Sequence, residues 1–156
     1  MEYSVTSAEA SCGRKVNDLK LIQLEPFFCR YETRVDTWQV VDGDPSTWRE
    51  RGCPTHDVTG PKEYVVRVES LSEAQGVEFL CPKCFQENKG PVGTHYCMVT
   101  FQGRGVPDEQ GSHTAEGRPV RWVVTGTSLE DLTMTPSILL VGGCNWHGFI
   151  TNGNVT

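Results

Sequence analysis

The chain has 156 residues and a net charge of −6, which leaves it without the clustered Lys and Arg that sequence-independent nucleic-acid binding requires and argues against adhesion to an anionic membrane. A hydrophobic share of 37% is low but enough for one domain with a core of its own, and 16 Gly with 9 Pro point to short elements joined by turns. No run stays apolar for the ~18 residues that a membrane-spanning helix needs.

The N-terminal stretch MEYSVTSAEASCGRK has no charged region followed by an apolar one, so no secretory signal is expected. Seven cysteines is an odd count. With no export signal, thiols serving metal, catalysis or burial are expected rather than a disulfide framework. The expected setting is a reducing one, cytoplasmic or virion-associated.

Ser7 to Leu19 is compatible with a short helix. Residues 19–34 are apolar with partial alternation, and Pro26 should break this strand or place it at an edge. DTWQVV (36–41) reads as a second strand. EYVVRVES (63–70) alternates, and SLSEAQG (70–76) offers a turn or two of helix stopped by Gly76. VEFLC (77–81), THYCMVTFQG (94–103), RPVRWVVTG (118–126) and SILLVGG (137–143) are further strands. Residues 102–119 read as a long exposed loop. At the end, Asn152-Gly153 predicts a type I′ turn between two last strands. A boundary near VTGPK (58–62) would divide an N-terminal elaboration (1–60) from a metal-bearing domain (61–156), unless the two form one continuous domain. The expected class is mainly β: a zinc ribbon-like antiparallel domain with a β-rich N-terminal elaboration and little helix.

Cys81-Pro-Lys-Cys84 can aim two thiolates at one metal from a tight turn. Cys144-Asn-Trp-His147 repeats the spacing with an imidazole last. Together Cys81, Cys84, Cys144 and His147 make a Cys₃His set suited to tetrahedral zinc. Four protein donors leave no open position, and three thiolates make a poor Lewis acid, so the set favours a structural role. A redox pair at Cys81 and Cys84 would need the start of a helix in a βαβ setting, and Gly90-Pro91 ends any helix quickly. Cys53-Pro-Thr-His56 is a weaker hook. With Cys29 and either Cys12 or Cys97 it would form a second metal site; as core residues, Cys29 and Cys97 would simply be small and buried. No nucleophile elbow, phosphate loop or His-Glu-x-x-His motif is present.

The C-terminal half carries FLCPKC, THYCMV, RWVVTGT and MTPSILLVGGCNWHGFITNGNV. This pattern resembles a family of small phage and bacterial domains of unknown function, many of them named ammonia monooxygenase, some of which occur beside bacterial ubiquitin-like conjugation genes. The resemblance covers about residues 77–156. It implies zinc binding by Cys81, Cys84, Cys144 and His147, and it implies no firm activity.

The function expected from these features is a zinc-stabilised accessory or structural protein, phage-derived and working through contact with another protein; the four-donor ligand set leans against hydrolysis and leaves an enzymatic role open. One alternative is a zinc hydrolase with Glu78, Glu87 or His95 as base. The other is a zinc-ribbon nucleic-acid module using Arg104, Arg118 and Arg121, which the acidic total disfavours.

Overall fold

The computed structural model describes residues 18–41 and 55–156, with side chains described outside 36–41 and 55–60. The expected helix at Ser7–Leu19 lies almost wholly outside these residues.

Strand β1 (Leu19–Lys20) runs into a 3₁₀ turn (Leu21–Leu24), and Glu25 adopts a left-handed conformation at its end. Pro26 then separates this turn from β2 (Phe27–Val41), so the predicted break is present and the two segments read as separate strands join into one. Strand β3 is Thr55–Val68. The stretch 58–62 therefore lies inside a strand. The chain forms two compact units, Met1–Arg30 with Arg67–Thr156, and Tyr31–Val66.

After a short 3₁₀ turn (Leu71–Glu73) come β4 (Gly76–Leu80), helix α1 (Pro82–Asn88) and β5 (Tyr96–Thr100). Strands β6 (Val123–Thr125), β7 (Thr133–Leu139), β8 (His147–Thr151) and β9 (Asn154–Val155) complete the order. One sheet is ordered β1-β9-β8-β7-β6 and the other β3-β2-β4-β5. The class is mainly β, as the alternation predicts.

In the larger unit both sheets contribute to one core. Val77, Phe79 and Val99 come from one sheet and Met134, Ile138, Ile150 and Val155 from the other. Phe79 meets Trp146 edge to face at 6.3 Å. Burying such side chains contributes roughly 1.5–3 kcal/mol each. The β8–β9 turn has φ of 49° at Asn152 and 74° at Gly153, the two positive values that a type I′ turn demands. Gly153 also donates to Leu132 O and accepts from Leu21 N, each at 2.9 Å. A side chain there would run into the Glu130 carbonyl.

Helix α1 is the element that the sequence pattern hid. Pro82 takes the first helical position, where its missing N–H costs nothing. Lys89 closes the helix in a left-handed conformation, and Gly90 N–H returns to Phe85 O at 2.9 Å. Gly90-Pro91 does stop it, but only after two turns. Among the described residues no helix is long and apolar enough to cross a membrane.

Candidate metal centre and Ser–His pair

Cys81 follows β4 directly and is the N-cap of α1, and Cys84 sits in the helix's first turn. Strands β4 and β5 pair antiparallel with Leu80 opposite Tyr96. That register sets Cys81 opposite His95, and Cys81 N–H donates to His95 O at 2.8 Å. Cys144 comes from the turn between β7 and β8. The ligand atoms of Cys81, Cys84, His95 and Cys144 all lie within 4.8 Å of one another.

This donor set fits one tetrahedral ion. Metal–sulfur bonds of about 2.3 Å and metal–nitrogen bonds of about 2.05 Å would put two sulfurs about 3.8 Å apart and a nitrogen about 3.6 Å from a sulfur. The Cys81 and Cys144 sulfurs are 3.3 Å apart, and His95 Nε2 is 3.4 Å from Cys144 Sγ. His95 Nδ1 lies 3.3 Å from Tyr96 O. Donation from Nδ1–H to that carbonyl leaves the Nε2 lone pair facing the sulfurs, the tautomer a metal ligand needs. Lys83 Nζ donates to Cys144 O at 2.9 Å, which brings a positive charge to the same turn.

The thiols do not favour ionising in each other's company. A hydrogen bond with Cys97, and then burial, push Cys81 far above the ordinary thiol range. Burial, then the charge of Cys81, raise Cys84 to about 12. A bound cation reverses this preference, because it neutralises the charge that the thiolates create.

His147 is not part of the cluster, although the spacing assigned it there. It is the first residue of β8 and lies opposite Leu139 of β7. Residues 147, 149 and 151 face away from the core, while Gly148 and Ile150 face in. Ser137 is two residues before Leu139 and so projects from the same face as His147. His147 Nε2 and Ser137 Oγ are 3.1 Å apart. A two-residue bulge between Met134 and Ile138 sets Ser137 in this position. Ser137 is 2% exposed, and His147 is half-buried.

Among the described residues, the other serine hydroxyls with placed contacts have different partners. Ser70 Oγ bonds Glu73, Ser112 Oγ bonds Met98 O, and Ser128 Oγ bonds Asp131. The nitrogens of His113 face the carbonyls of Gly111 and Asp108.

For the weaker second site, Cys29 is fully buried on β2 and its thiol is pushed up to about 12 by burial, with Glu78 adding to the shift. Cys12 and Cys53 lie outside the described residues, as does the side chain of His56. Cys97 is buried beside Cys81. Of the three bases considered, His95 belongs to the Cys/His cluster that could hold a metal, Glu78 is on β4 with its carboxyl pKa raised by burial, and Glu87 is on α1. Two of the three arginines are spent on main-chain carbonyls. Arg104 Nη1 donates to Leu71 O and Ala74 O, and Arg121 donates to four carbonyls.

The fourth donor had a signal in the sequence after all. Once VEFLC and THYCMV are paired as neighbouring antiparallel strands, His95 falls beside Cys81. Reading Cys144-x-x-His147 as a hook instead removed the imidazole that meets Ser137.

Residues 57–156 match the family described as bacterial ubiquitination-like system serine protease (BubE). The match spans well over half of the chain, and the chain belongs to this family. Comparison with curated proteins and with solved structures returns no match. The family overturns the expectation of a structural accessory or virion protein, because its members are named as proteases. The zinc hydrolase alternative is nearer in reaction class, but the family's chemistry rests on serine.

Proposed function

We propose that this BubE-family protein is a serine protease with Ser137 as nucleophile and His147 as general base. The observation that carries the reading is the 3.1 Å separation of Ser137 Oγ and His147 Nε2, in a chain whose family is named for serine proteolysis. Both residues lie within the matched region. The family description also supports a protein substrate belonging to a bacterial ubiquitination-like system.

The chemistry follows from the pair. Ser137 Oγ–H donates to Nε2, the imidazole takes the proton as Oγ attacks the scissile carbonyl, and an acyl-enzyme forms as the amide C–N bond breaks. His147 returns the proton to the leaving amine. It then activates the water that releases the acyl group. Ser137 is only 2% exposed, so a substrate must open the site locally to reach Oγ. Gly142 and Gly143, both at positive φ in the turn before His147, give that turn backbone freedom.

Cys81, Cys84, His95 and Cys144 would hold the metal, and three thiolates with one imidazole support zinc. With four protein donors the ion supplies a cross-link and no open position. Through Cys144 that link ties the turn preceding His147 to β4, α1 and β5.

The competing reading is that His147 only satisfies the buried Ser137 hydroxyl. An alkyl fluorophosphonate, which phosphorylates activated serines, separates the two. Labelling at Ser137 is expected in the wild type, none in Ser137→Ala, and labelling slowed by about 10²–10⁴-fold in His147→Ala. Labelling that survives Ser137→Ala, or its absence from the wild type, removes the protease assignment from this pair.

A further inference from the structure

The protease reading leaves open how a substrate is held. The geometry points to the unpaired edge of β7 beside Ser137 as the substrate cleft, which takes an extended peptide as an added β-strand. This inference rests on Ser137 and His147 being the catalytic pair.

The backbone register locates the edge. Leu140 N–H bonds Trp146 O at 2.9 Å, and Ile138 lies opposite Gly148 in the same register. Backbone groups along a strand alternate between its two sides. Residues 138 and 140 therefore face β8, and 137 and 139 face the other way. On that other side β6 covers only the first part of β7, pairing Val123 with Thr135, Val124 with Met134 and Thr125 with Thr133. It goes no further because the chain before it is committed elsewhere. Trp122 bridges to Phe101, with Trp122 N–H donating to Thr100 O and Gln102 N–H to Trp122 O. The Trp122 indole donates to Ser137 O at 3.3 Å. Beyond it, no described strand pairs with the outward N–H and C=O of Leu139.

An edge with free backbone groups is a template for another strand. A peptide there lies about 4.8 Å from β7, one side-chain length from Ser137 Oγ. The side chains around the pair suit such an occupant. Val123 and Phe149 are each 48% exposed and Val141 is 60% exposed. Val123 and Phe149 project from the same side of the sheet as Ser137 and His147, and Val141 follows the edge. Apolar side chains of a peptide would have surfaces to cover, while its backbone bonds Leu139. A folded segment cannot present that backbone, so the substrate class is an unstructured tail or linker.

The test uses the full chain and two kinds of serine probe. A simple alkyl fluorophosphonate reads Ser137 reactivity without using the edge. A mixture of tetrapeptidyl phosphonates, randomised at every position, reads reactivity plus edge docking. The peptidyl mixture is expected to label Ser137 at least about tenfold faster per unit of intrinsic reactivity, equivalent to about 1.4 kcal/mol of docking. N-methylation of alternate peptide residues should abolish that gain at one phase and leave it at the other. No peptidyl acceleration, or acceleration indifferent to N-methylation, overturns the inference. If the alkyl probe leaves Ser137 unlabelled, the protease reading itself has failed. Leu139→Pro, which removes the outward N–H without removing a bond to β8, gives a second arm read as the ratio of peptidyl to alkyl labelling within the same protein: that ratio should fall to the ratio of the probes' intrinsic reactivities, and an unchanged ratio overturns the inference.

Discussion

His95 rather than His147 joins Cys81, Cys84 and Cys144. Cys-x-x-His spacing describes how close two residues are along a chain, but strand alternation decides where the second one points. Asn145, at φ 52°, and Trp146, turned into the core against Phe79, separate Cys144 from His147. The prediction is a difference between two variants. Elemental analysis should find one metal per chain in the wild type and in His147→Ala, and less than half of that in His95→Ala. Equal metal loss in both variants would put the imidazole donor back at 147. Asp131 offers a separate residue-level test. Its carboxylate accepts from the N–H groups of Thr127 and Ser128, each at 2.8 Å, and from the Thr127 hydroxyl. These bonds hold its pKa down to about 2, below the unfolded value of about 3.9. A depressed folded value means stability that is present above about pH 4 and is lost as pH falls towards 2. The gap in Tm between wild type and Asp131→Asn should be constant from neutral pH to about 4 and shrink below it. A gap independent of pH would remove the charge from the explanation.

Element by element, the strands were legible where apolar alternation and turn chemistry agreed. Pro26, the strand VEFLC and the Asn152-Gly153 turn each marked a feature found in the fold. Helix α1 was not legible, because seven residues carry too little periodicity and the Cys-Pro-x-Cys motif reads equally well as a metal turn. The segment 102–119 reads as a solvated loop from its glycines, yet much of it is anchored. Val120 N–H donates to Ser112 O at 2.8 Å, and His113 bridges to Pro119. The Arg121 guanidinium gathers the carbonyls of Pro107, Gln110, Ser112 and Val120 at 2.8–2.9 Å and the Thr100 hydroxyl at 3.2 Å. That anchor is a single residue outside the segment, so composition inside it gave no warning. Lysine cannot reproduce the fork. Arg121→Lys should destabilise the fold by about 1–3 kcal/mol in urea unfolding and open the segment to limited proteolysis. An unchanged cleavage pattern would show that the loop holds itself.

For the molecule as a whole, the Cys/His cluster is the link between the turn that precedes His147 and the hairpin of the other sheet. Three of its donors are Cys81 just after β4, Cys84 in α1 and His95 just before β5, and the fourth, Cys144, comes from the turn before β8. Without a cation, Cys81 is kept protonated by its hydrogen bond with Cys97 and by burial, and Cys84 by burial and the charge of Cys81. A strong chelator should therefore lower Tm by more than about 10 °C in calorimetry and slow fluorophosphonate labelling of Ser137 together with it. If chelation lowers Tm and leaves labelling unchanged, the cross-link supports the fold without positioning His147. By itself the sequence determined the β-rich class, the closing turn and three of the four clustered donors, because these depend on local periodicity, turn residues and two-residue spacing. Only the tertiary structure decided that His95 joins the cysteines and that His147 meets Ser137. Both pairings are made across neighbouring strands, where register and the side each residue faces outweigh proximity along the chain.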